Sequence, residues 1–136
     1  MKTSELHLIG VLDETIGREI FPADDEYSRF DAYDLKDNIY ELKVRGAYYE
    51  DTLIEFDKFS FNLMYAETFG KRFLYVVQMN DMGYVFDISA LHNEGYDFRW
   101  ETKELPKYTE FDEKREITKV VGYISIENTI FAFKVW

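Results

Sequence analysis

The chain opens with a pattern of apolar positions that is typical of a helix. Apolar residues recur at spacings of three and four over residues 4–16, which predicts an amphipathic helix with one buried face. Thr3 or Ser4 can cap its start, and Gly17 suits the left-handed conformation that commonly ends a helix. The predicted buried face consists of Leu8, Ile9, Leu12 and Ile16.

The next segment has the alternating pattern of β-structure. A short strand is expected over residues 18–21, where Pro22 stops it, and the acidic run 24–26 is interpreted as a solvated loop. Two alternating runs, near residues 28–34 and 39–45, flank a polar Lys-Asp-Asn turn. Strands on both sides of such a turn are the signature of a β-hairpin.

A second helix and two further strands follow. The segment Thr52–Phe69 is predicted to be a helix, because Thr52 and Glu55 have the spacing of a capping box and Gly70 suits the end. Its apolar face is expected to contain Leu53, Phe56, Phe59, Leu63 and Ala66. Residues 72–78 are almost continuously apolar, as in a strand buried on both faces, and residues 84–88 form the next strand after a turn at 80–83.

The pattern is weaker beyond residue 90. Residues 96–100 and 108–111 lie on either side of Pro106 and are interpreted as loop or edge structure. Residues 119–124 and 129–135 are expected to form a terminal hairpin that turns at 127–128. The whole chain is taken as one domain, with a core over residues 4–90 and a β extension over residues 91–136.

Composition excludes several kinds of site. With 46% hydrophobic and 18% aromatic residues among 136, the chain can bury a core and is not a disordered acidic tail. It contains no cysteine, which excludes disulfides, zinc thiolates and a thiol nucleophile, and its two histidines exclude a multi-histidine metal site. Its apolar runs are too short for a membrane span and the N-terminus lacks a signal-peptide pattern, so a cytoplasmic protein is expected.

The predicted hairpin gathers charged residues on one face of the sheet. Glu41 and Lys43 are two positions apart on one strand, so their side chains leave the same face. Asp31 is ten positions before Glu41, and a three-residue loop would place the two directly opposite each other. A two-residue loop would place Asp34 opposite Glu41 instead. Two carboxylates and an ammonium on one face suit a Mg²⁺-dependent phosphodiesterase.

The order of elements and this motif together resemble the PD-(D/E)XK nuclease superfamily, which has the restriction-endonuclease-like fold. The resemblance covers about residues 4–90 and rests on Asp31, Glu41-Leu42-Lys43 and the elements around them. It implies an α/β (α+β) protein with an αβββαβ core, a mixed central sheet flanked by helices, and extra C-terminal strands. The nine-residue spacing is similar to that of phage exonucleases and junction-resolving enzymes. One departure is Phe30, where the family usually has proline.

The resemblance also implies roles for individual residues. Asp31 and Glu41 would be ligands of Mg²⁺ (or Mn²⁺), and Lys43 would position or activate the attacking water. Glu5 resembles the accessory acidic residue on the first helix of archaeal-type junction resolvases. Lys58 would reach a phosphate, and Arg45, on the same strand face as Glu41, would clamp one. The implied substrate is DNA and the implied assembly a homodimer, as in a small phage-type enzyme.

The net charge favours a different function. Sixteen Lys and Arg against 27 Asp and Glu give a formal charge of −11, whereas proteins that bind nucleic acid usually have a basic surface. An acidic field steers binding toward basic partners. The alternative hypothesis is therefore a non-catalytic interaction protein, such as a DNA mimic or an inhibitor that occupies a basic site on a partner protein.

Overall fold

The computed structural model describes residues 1–23, 29–108 and 114–136. The predicted acidic loop at 24–26 lies outside these residues, as does part of the segment 108–111. Three α-helices, nine strands and a single 3₁₀ turn are found in the described parts. In chain order they are α1 (Thr3–Ile16), β1 (Ile20–Pro22), β2 (Ala32–Asp34), β3 (Asn38–Arg45), β4 (Asp51–Glu55), α2 (Phe56–Thr68), β5 (Arg72–Met79), β6 (Met82–Asp87), α3 (Ile88–Asn93), β7 (Glu101–Tyr108), β8 (Lys114–Ser125), the 3₁₀ turn Ile126–Asn128 and β9 (Phe131–Lys134).

A mixed six-stranded sheet forms the centre of the fold. Its strand order is β1-β2-β3-β5-β6-β9, and only the β3–β5 pair is parallel among these neighbours. β5 is buried at every position after Arg72, which confirms the strand predicted from its continuous apolar run. Helix α1 packs on one face of the sheet, and α2 and α3 pack on the other. The predicted mixed sheet flanked by helices is therefore confirmed.

Helix α1 confirms the first predicted element in most details. It spans Thr3–Ile16 and buries the predicted apolar residues Leu8, Ile9 and Leu12. Gly17 ends it in the left-handed conformation, with φ of 63°. The predicted caps are wrong, because Thr3 is already helical and the Lys2 N–H instead donates to the Glu5 carboxylate at 3.3 Å. The Glu5 carboxylate thus provides an acceptor for one of the backbone N–H groups that have no partner within the helix.

A smaller sheet of three strands, in the order β4-β8-β7, corrects the predicted start of the second helix. Asp51–Glu55 is a strand paired with β8, and α2 begins only at Phe56. The Thr52 side chain is buried with no hydrogen-bond partner in the described part of the chain, so it does not cap a helix. Long-range pairing with β8 places alternate residues of β4 in the interior, and this outweighs the local capping signal.

The C-terminal strands also pair differently from the sequence prediction. β8 and β9 do not form a hairpin with each other: β8 lies between β4 and β7, and β9 joins the central sheet beside β6. Gly83 of β6 lies opposite Phe133 of β9, whose ring fills the space that a Cβ atom would need. The extension predicted over 91–136 therefore contributes to both sheets.

Within the described residues, no helix combines the length and the hydropathy needed to cross a membrane.

Candidate active site

The hairpin formed by β2 and β3 has the register that brings Asp31 to Glu41. Ala32 pairs with Tyr40, and a three-residue loop (35–37) joins the strands, its last residue in the left-handed region with φ of 66°. Asp31 directly precedes the paired residue Ala32, and the charges of Asp31 and Glu41 act on each other, which indicates that the two carboxylates are close. The three-residue loop is thus the arrangement found, and a two-residue turn is not.

Asp31 lies where the paired part of the hairpin ends. Its N–H donates to the carbonyl of Tyr40, and its Oδ2 accepts a hydrogen bond of 2.8 Å from the N–H of Leu42. Burial raises the pKa of Asp31, and the nearby Glu5 carboxylate adds to this, while the hydrogen bond from Leu42 opposes it. One carboxylate oxygen of Asp31 is therefore held by the backbone of the strand that carries Glu41.

Glu41 is 2% exposed, and its two oxygens have different surroundings. Oε1 accepts a hydrogen bond of 2.9 Å from Nζ of Lys58. Oε2 is buried and has no partner among the described residues. Burial raises the pKa of Glu41 to about 7, and the charge of Asp31 contributes, although Lys58 acts in the opposite direction. A buried carboxylate oxygen that accepts no hydrogen bond has lost its hydration without compensation, and a bound cation would supply that compensation.

Two lysines approach this pair of carboxylates from different elements. Lys58, in the first turns of α2, has a side chain that is 45% exposed, and its charge partly compensates Glu41. Burial alone would lower the pKa of Lys58, but the contact with Glu41 outweighs burial and raises it. Lys43 is solvent-exposed, yet partial desolvation, together with Arg45 and Lys58, lowers its pKa. Lys43 therefore gives up its proton more readily than a free lysine does.

Arg45 continues the same face of β3 toward the small sheet. Its Nη2 donates to the carbonyl of Leu53 at 3.1 Å, and the Tyr75 hydroxyl donates to the same carbonyl at 2.9 Å. The Nε of Arg45 is buried without a partner in the described structure. One donor of the guanidinium group is therefore used to hold β4, whereas the buried Nε is left without an acceptor there.

These side chains line a cavity of about 650 Å³ between β3 and β5 of the central sheet and the three strands of the small sheet. Four cations and two carboxylates contribute to its walls, so the cavity is basic in a chain of net charge −11. Sequence reasoning missed Glu55 and Lys119 here, whose side chains form an ion pair of 2.5 Å. The lining residues are Glu41, Lys43, Arg45, Leu53, Ile54, Glu55, Lys58, Tyr75, Leu105, Ile117 and Lys119.

Asp34, the alternative to Asp31, lies on the other face of the hairpin. Its carboxylate accepts hydrogen bonds from the backbone N–H groups of Lys36 and Asn38, from the Asn38 amide and from the Tyr40 hydroxyl. Arg18 adds a contact of 3.5 Å. Burial would raise the pKa of Asp34, but these hydrogen bonds outweigh it and lower the pKa. Asp34 therefore holds the loop between β2 and β3, and the alternative that placed it opposite Glu41 is not the arrangement found.

Glu5 lies near the carboxylate pair without contacting it directly in the described structure. It is half-buried in the first turn of α1, where its carboxylate accepts from the Lys2 N–H. Its negative charge contributes to the raised pKa of both Asp31 and Glu41, which indicates that it is close to them. The first helix thus brings a third acidic residue to the edge of the site.

The donor set fits a cation that prefers oxygen ligands better than one that prefers nitrogen or sulfur ligands. No group of three or more His, Cys, Asp and Glu in metal-binding proximity occurs among the residues that the structure describes. Asp31 and Glu41 form an adjacent pair, and the buried Oε2 of Glu41 lacks a partner there. Mg²⁺ commonly uses one or two carboxylates and completes its shell with water and phosphate oxygens. Two carboxylates beside an open basic cavity therefore fit Mg²⁺ or Mn²⁺.

Comparison with known proteins identifies the fold. No protein-family model and no curated protein sequence matches the chain. Among solved structures, one that matches is Archaeoglobus fulgidus Hjc, a Holliday junction resolvase from an archaeal hyperthermophile. The match covers 94% of this chain and 92% of that one, with a TM-score of 0.51 and 12% identity.

The chain has the restriction-endonuclease-like fold. The fold resemblance drawn from the order of elements and the Asp31…Glu41-Leu42-Lys43 motif is thereby confirmed. At 12% identity the likeness concerns the fold, and the assignment of individual residues rests on their geometry alone.

Proposed function

We propose that this chain is a metal-dependent nuclease that hydrolyses phosphodiester bonds in DNA. The main support is Glu41, a carboxylate that is almost fully buried beside Asp31 and a basic cavity, with one oxygen lacking a partner in the described structure. The resolvase-like fold agrees with this proposal, because the similar protein Hjc is a Holliday junction resolvase. Buried carboxylates with raised pKa values are frequent at catalytic sites.

In this proposal Asp31 and Glu41 hold Mg²⁺ or Mn²⁺. When bound, the metal supplies Lewis acidity, which stabilises the negative charge that develops on the phosphate. The strand that carries Glu41 also orients Asp31, since the Leu42 N–H holds one Asp31 oxygen and leaves the other for a ligand. Lys58 favours the ionised form of Glu41 through its hydrogen bond of 2.9 Å, and this opposes the effect of burial on the Glu41 pKa.

The remaining residues bind the substrate and the attacking water. Lys43 is two residues from Glu41 on the same strand face, and its lowered pKa suits a group that orients a water and exchanges a proton with it. Arg45 binds a phosphate next to the scissile one through donors that Leu53 does not occupy. Glu5 lies in the first turn of α1, and its negative charge adds to the electrostatic field that attracts a divalent cation.

Incubation of the purified protein with plasmid, linear and branched DNA tests this proposal. Cleavage is expected in the presence of Mg²⁺ or Mn²⁺, and Glu41→Gln and Lys43→Ala are each expected to abolish it while the protein remains folded. The matched controls are Glu67→Gln and Lys36→Ala, which change exposed residues outside the cavity and should retain activity. Cleavage that persists in both Glu41→Gln and Lys43→Ala would contradict the proposal.

The net charge of −11 supports one other function, that of an acidic protein that occupies a basic site on a partner protein. This alternative predicts no metal-dependent cleavage by the wild type. It also predicts that the protein competes with DNA for a basic DNA-binding protein, and that added salt weakens this binding. Competition that survives in Glu41→Gln, without any cleavage by the wild type, would favour the alternative over the nuclease.

A further inference from the structure

One wall of the cavity is apolar although the candidate reaction involves only charged groups. Register pairs Leu105 of β7 with Ile117 of β8, and both side chains are half-buried and line the cavity. Leu53 of β4 lines it as well. Phosphate binding and hydrolysis need none of these side chains. Their position indicates that part of the ligand entering the cavity is flat or apolar.

The two kinds of wall are contributed by different sheets. β3 of the central sheet carries one acid and two cations, namely Glu41, Lys43 and Arg45. The small sheet supplies the apolar cross-strand pair Leu105–Ile117, together with the Lys119–Glu55 ion pair. A ligand that reaches from β3 to the Leu105–Ile117 pair therefore meets charged groups at one end and apolar side chains at the other. A nucleotide, with its phosphate and its base, has this composition.

The size of the cavity agrees with a single nucleotide. Its volume of about 650 Å³ is within the range of about 300–1,000 Å³ for cavities that enclose small organic ligands. In a continuous duplex the faces of each base are covered by the neighbouring bases, and only the base edges are accessible in the grooves. A base must leave the stack before its face can pack on leucine and isoleucine side chains.

We propose that the site takes an unpaired nucleotide, so that its substrates contain single-stranded DNA rather than only continuous duplex. This inference rests on the proposed nuclease function and adds which kind of nucleic acid enters the cavity. The phosphate of the unpaired nucleotide lies toward Lys43 and Arg45, and its base packs on Leu105 and Ile117. Apolar packing of this kind tolerates any sequence, because every base presents a flat face.

Binding of fluorescent oligonucleotides in EDTA tests the inference without any cleavage. The single strand is expected to bind about tenfold more tightly than the matched continuous duplex. Leu105→Glu should remove this preference by placing a negative charge on the apolar wall, and Ile117→Ser should reduce it. The matched control is Val120→Glu on the same β8 strand, because Val120 is 43% exposed and does not line the cavity. Thermal unfolding of each variant establishes that it is folded.

Equal binding of single strand and duplex by the wild type would overturn the inference, and so would a preference that Leu105→Glu and Ile117→Ser leave unchanged. Absence of binding to every probe would overturn it as well. The nuclease proposal has a separate readout, which is cleavage that depends on Glu41. An enzyme that cuts continuous duplex as readily as single strand in a Glu41-dependent manner would keep the proposed function and refute the substrate class.

Discussion

Asp34 and Glu41 are two buried carboxylates of the same β-hairpin, and they differ in how many hydrogen-bond donors surround them. Asp34 is 4% exposed and Glu41 is 2% exposed, so burial alone does not distinguish them. Asp34 faces the side of the sheet covered by α1, and it accepts four hydrogen bonds and contacts Arg18. Glu41 faces the cavity and has one partner, Lys58, on one of its two oxygens.

The difference in hydrogen bonding explains the difference in pKa. The donors around Asp34 more than compensate the loss of hydration, which lowers its pKa. The single lysine at Glu41 does not, and burial together with Asp31 raises its pKa to about 7. A buried carboxylate whose oxygens all accept hydrogen bonds stabilises the fold. A buried carboxylate with an oxygen that accepts none carries a desolvation cost, which a bound ligand can remove. Substitutions at the two positions should therefore have different consequences.

The largest expected effect is on catalysis. Glu41→Gln should lower the rate of metal-dependent DNA cleavage on the order of 10³-fold, because it removes a charge needed in the transition state. Asp34→Asn should leave the rate within about twofold, since Asp34 faces away from the cavity. Initial rates at saturating Mg²⁺ for folded protein measure both. Similar losses in the two variants would contradict the assignment of different roles.

Stability should respond in the reverse order. Asp34→Ala leaves the Asn38 amide, the Tyr40 hydroxyl and the Arg18 contact without their acceptor, so we expect a loss of about 3 kcal/mol in the free energy of unfolding. Glu41→Gln should cost less, because the amide retains an oxygen for Lys58. Urea denaturation measures both, with the exposed Glu94→Ala as a control. A greater loss in Glu41→Gln than in Asp34→Ala would contradict the comparison.

The raised pKa of Glu41 predicts a pH dependence of stability in EDTA. The folded pKa of about 7 lies above the ordinary value of 4.5, so the native state binds more protons than the unfolded state between these values. Stability is therefore greatest below about pH 4.5 with respect to this group and falls as the pH rises to about 7, by about 3 kcal/mol. Urea denaturation across this range measures it. Glu41→Gln should remove most of this slope, and an unchanged slope would show that it does not arise from Glu41.

Lys58 should have the smallest of these effects. Lys58→Ala removes the only hydrogen bond that the described structure gives the Glu41 carboxylate, so the pKa of Glu41 should rise further. We expect about a tenfold loss of activity at neutral pH, with recovery as the pH is raised and Glu41 ionises. A pH–rate profile measures the shift, and Lys36→Ala is the matched control. A uniform loss at every pH would instead indicate that Lys58 acts on the substrate.

The sequence was informative where local spacing determines geometry. The even separation of Asp31 and Glu41 predicted that both face one side of the hairpin, and the three-residue loop in the structure has this register. The resemblance to the restriction-endonuclease-like fold, drawn from the order of elements, is also confirmed. The roles of Asp31, Glu41 and Lys43 in catalysis stay predictions.

The errors concern elements whose partners are distant in the chain. Thr52–Glu55 has the local signal of a helix cap, but pairing with β8, some seventy residues later, makes it a strand. Residues 119–124 and 129–135 contain strands as predicted, but these do not pair with each other, because a local pattern carries no information about the neighbouring strand. The single hydrogen-bond partner of Glu41 in the described structure likewise comes from Lys58 on α2, and the spacing within the hairpin does not determine it.

The most direct test of the proposed metal site is a calorimetric titration of the protein with Mn²⁺ in the absence of DNA. Wild-type protein and Asp34→Asn should both show saturable binding of Mn²⁺, whereas Glu41→Gln should bind at least about tenfold more weakly. Equal affinity of wild type and Glu41→Gln for Mn²⁺ would show that the Glu41 carboxylate does not hold the metal and would contradict the proposed site.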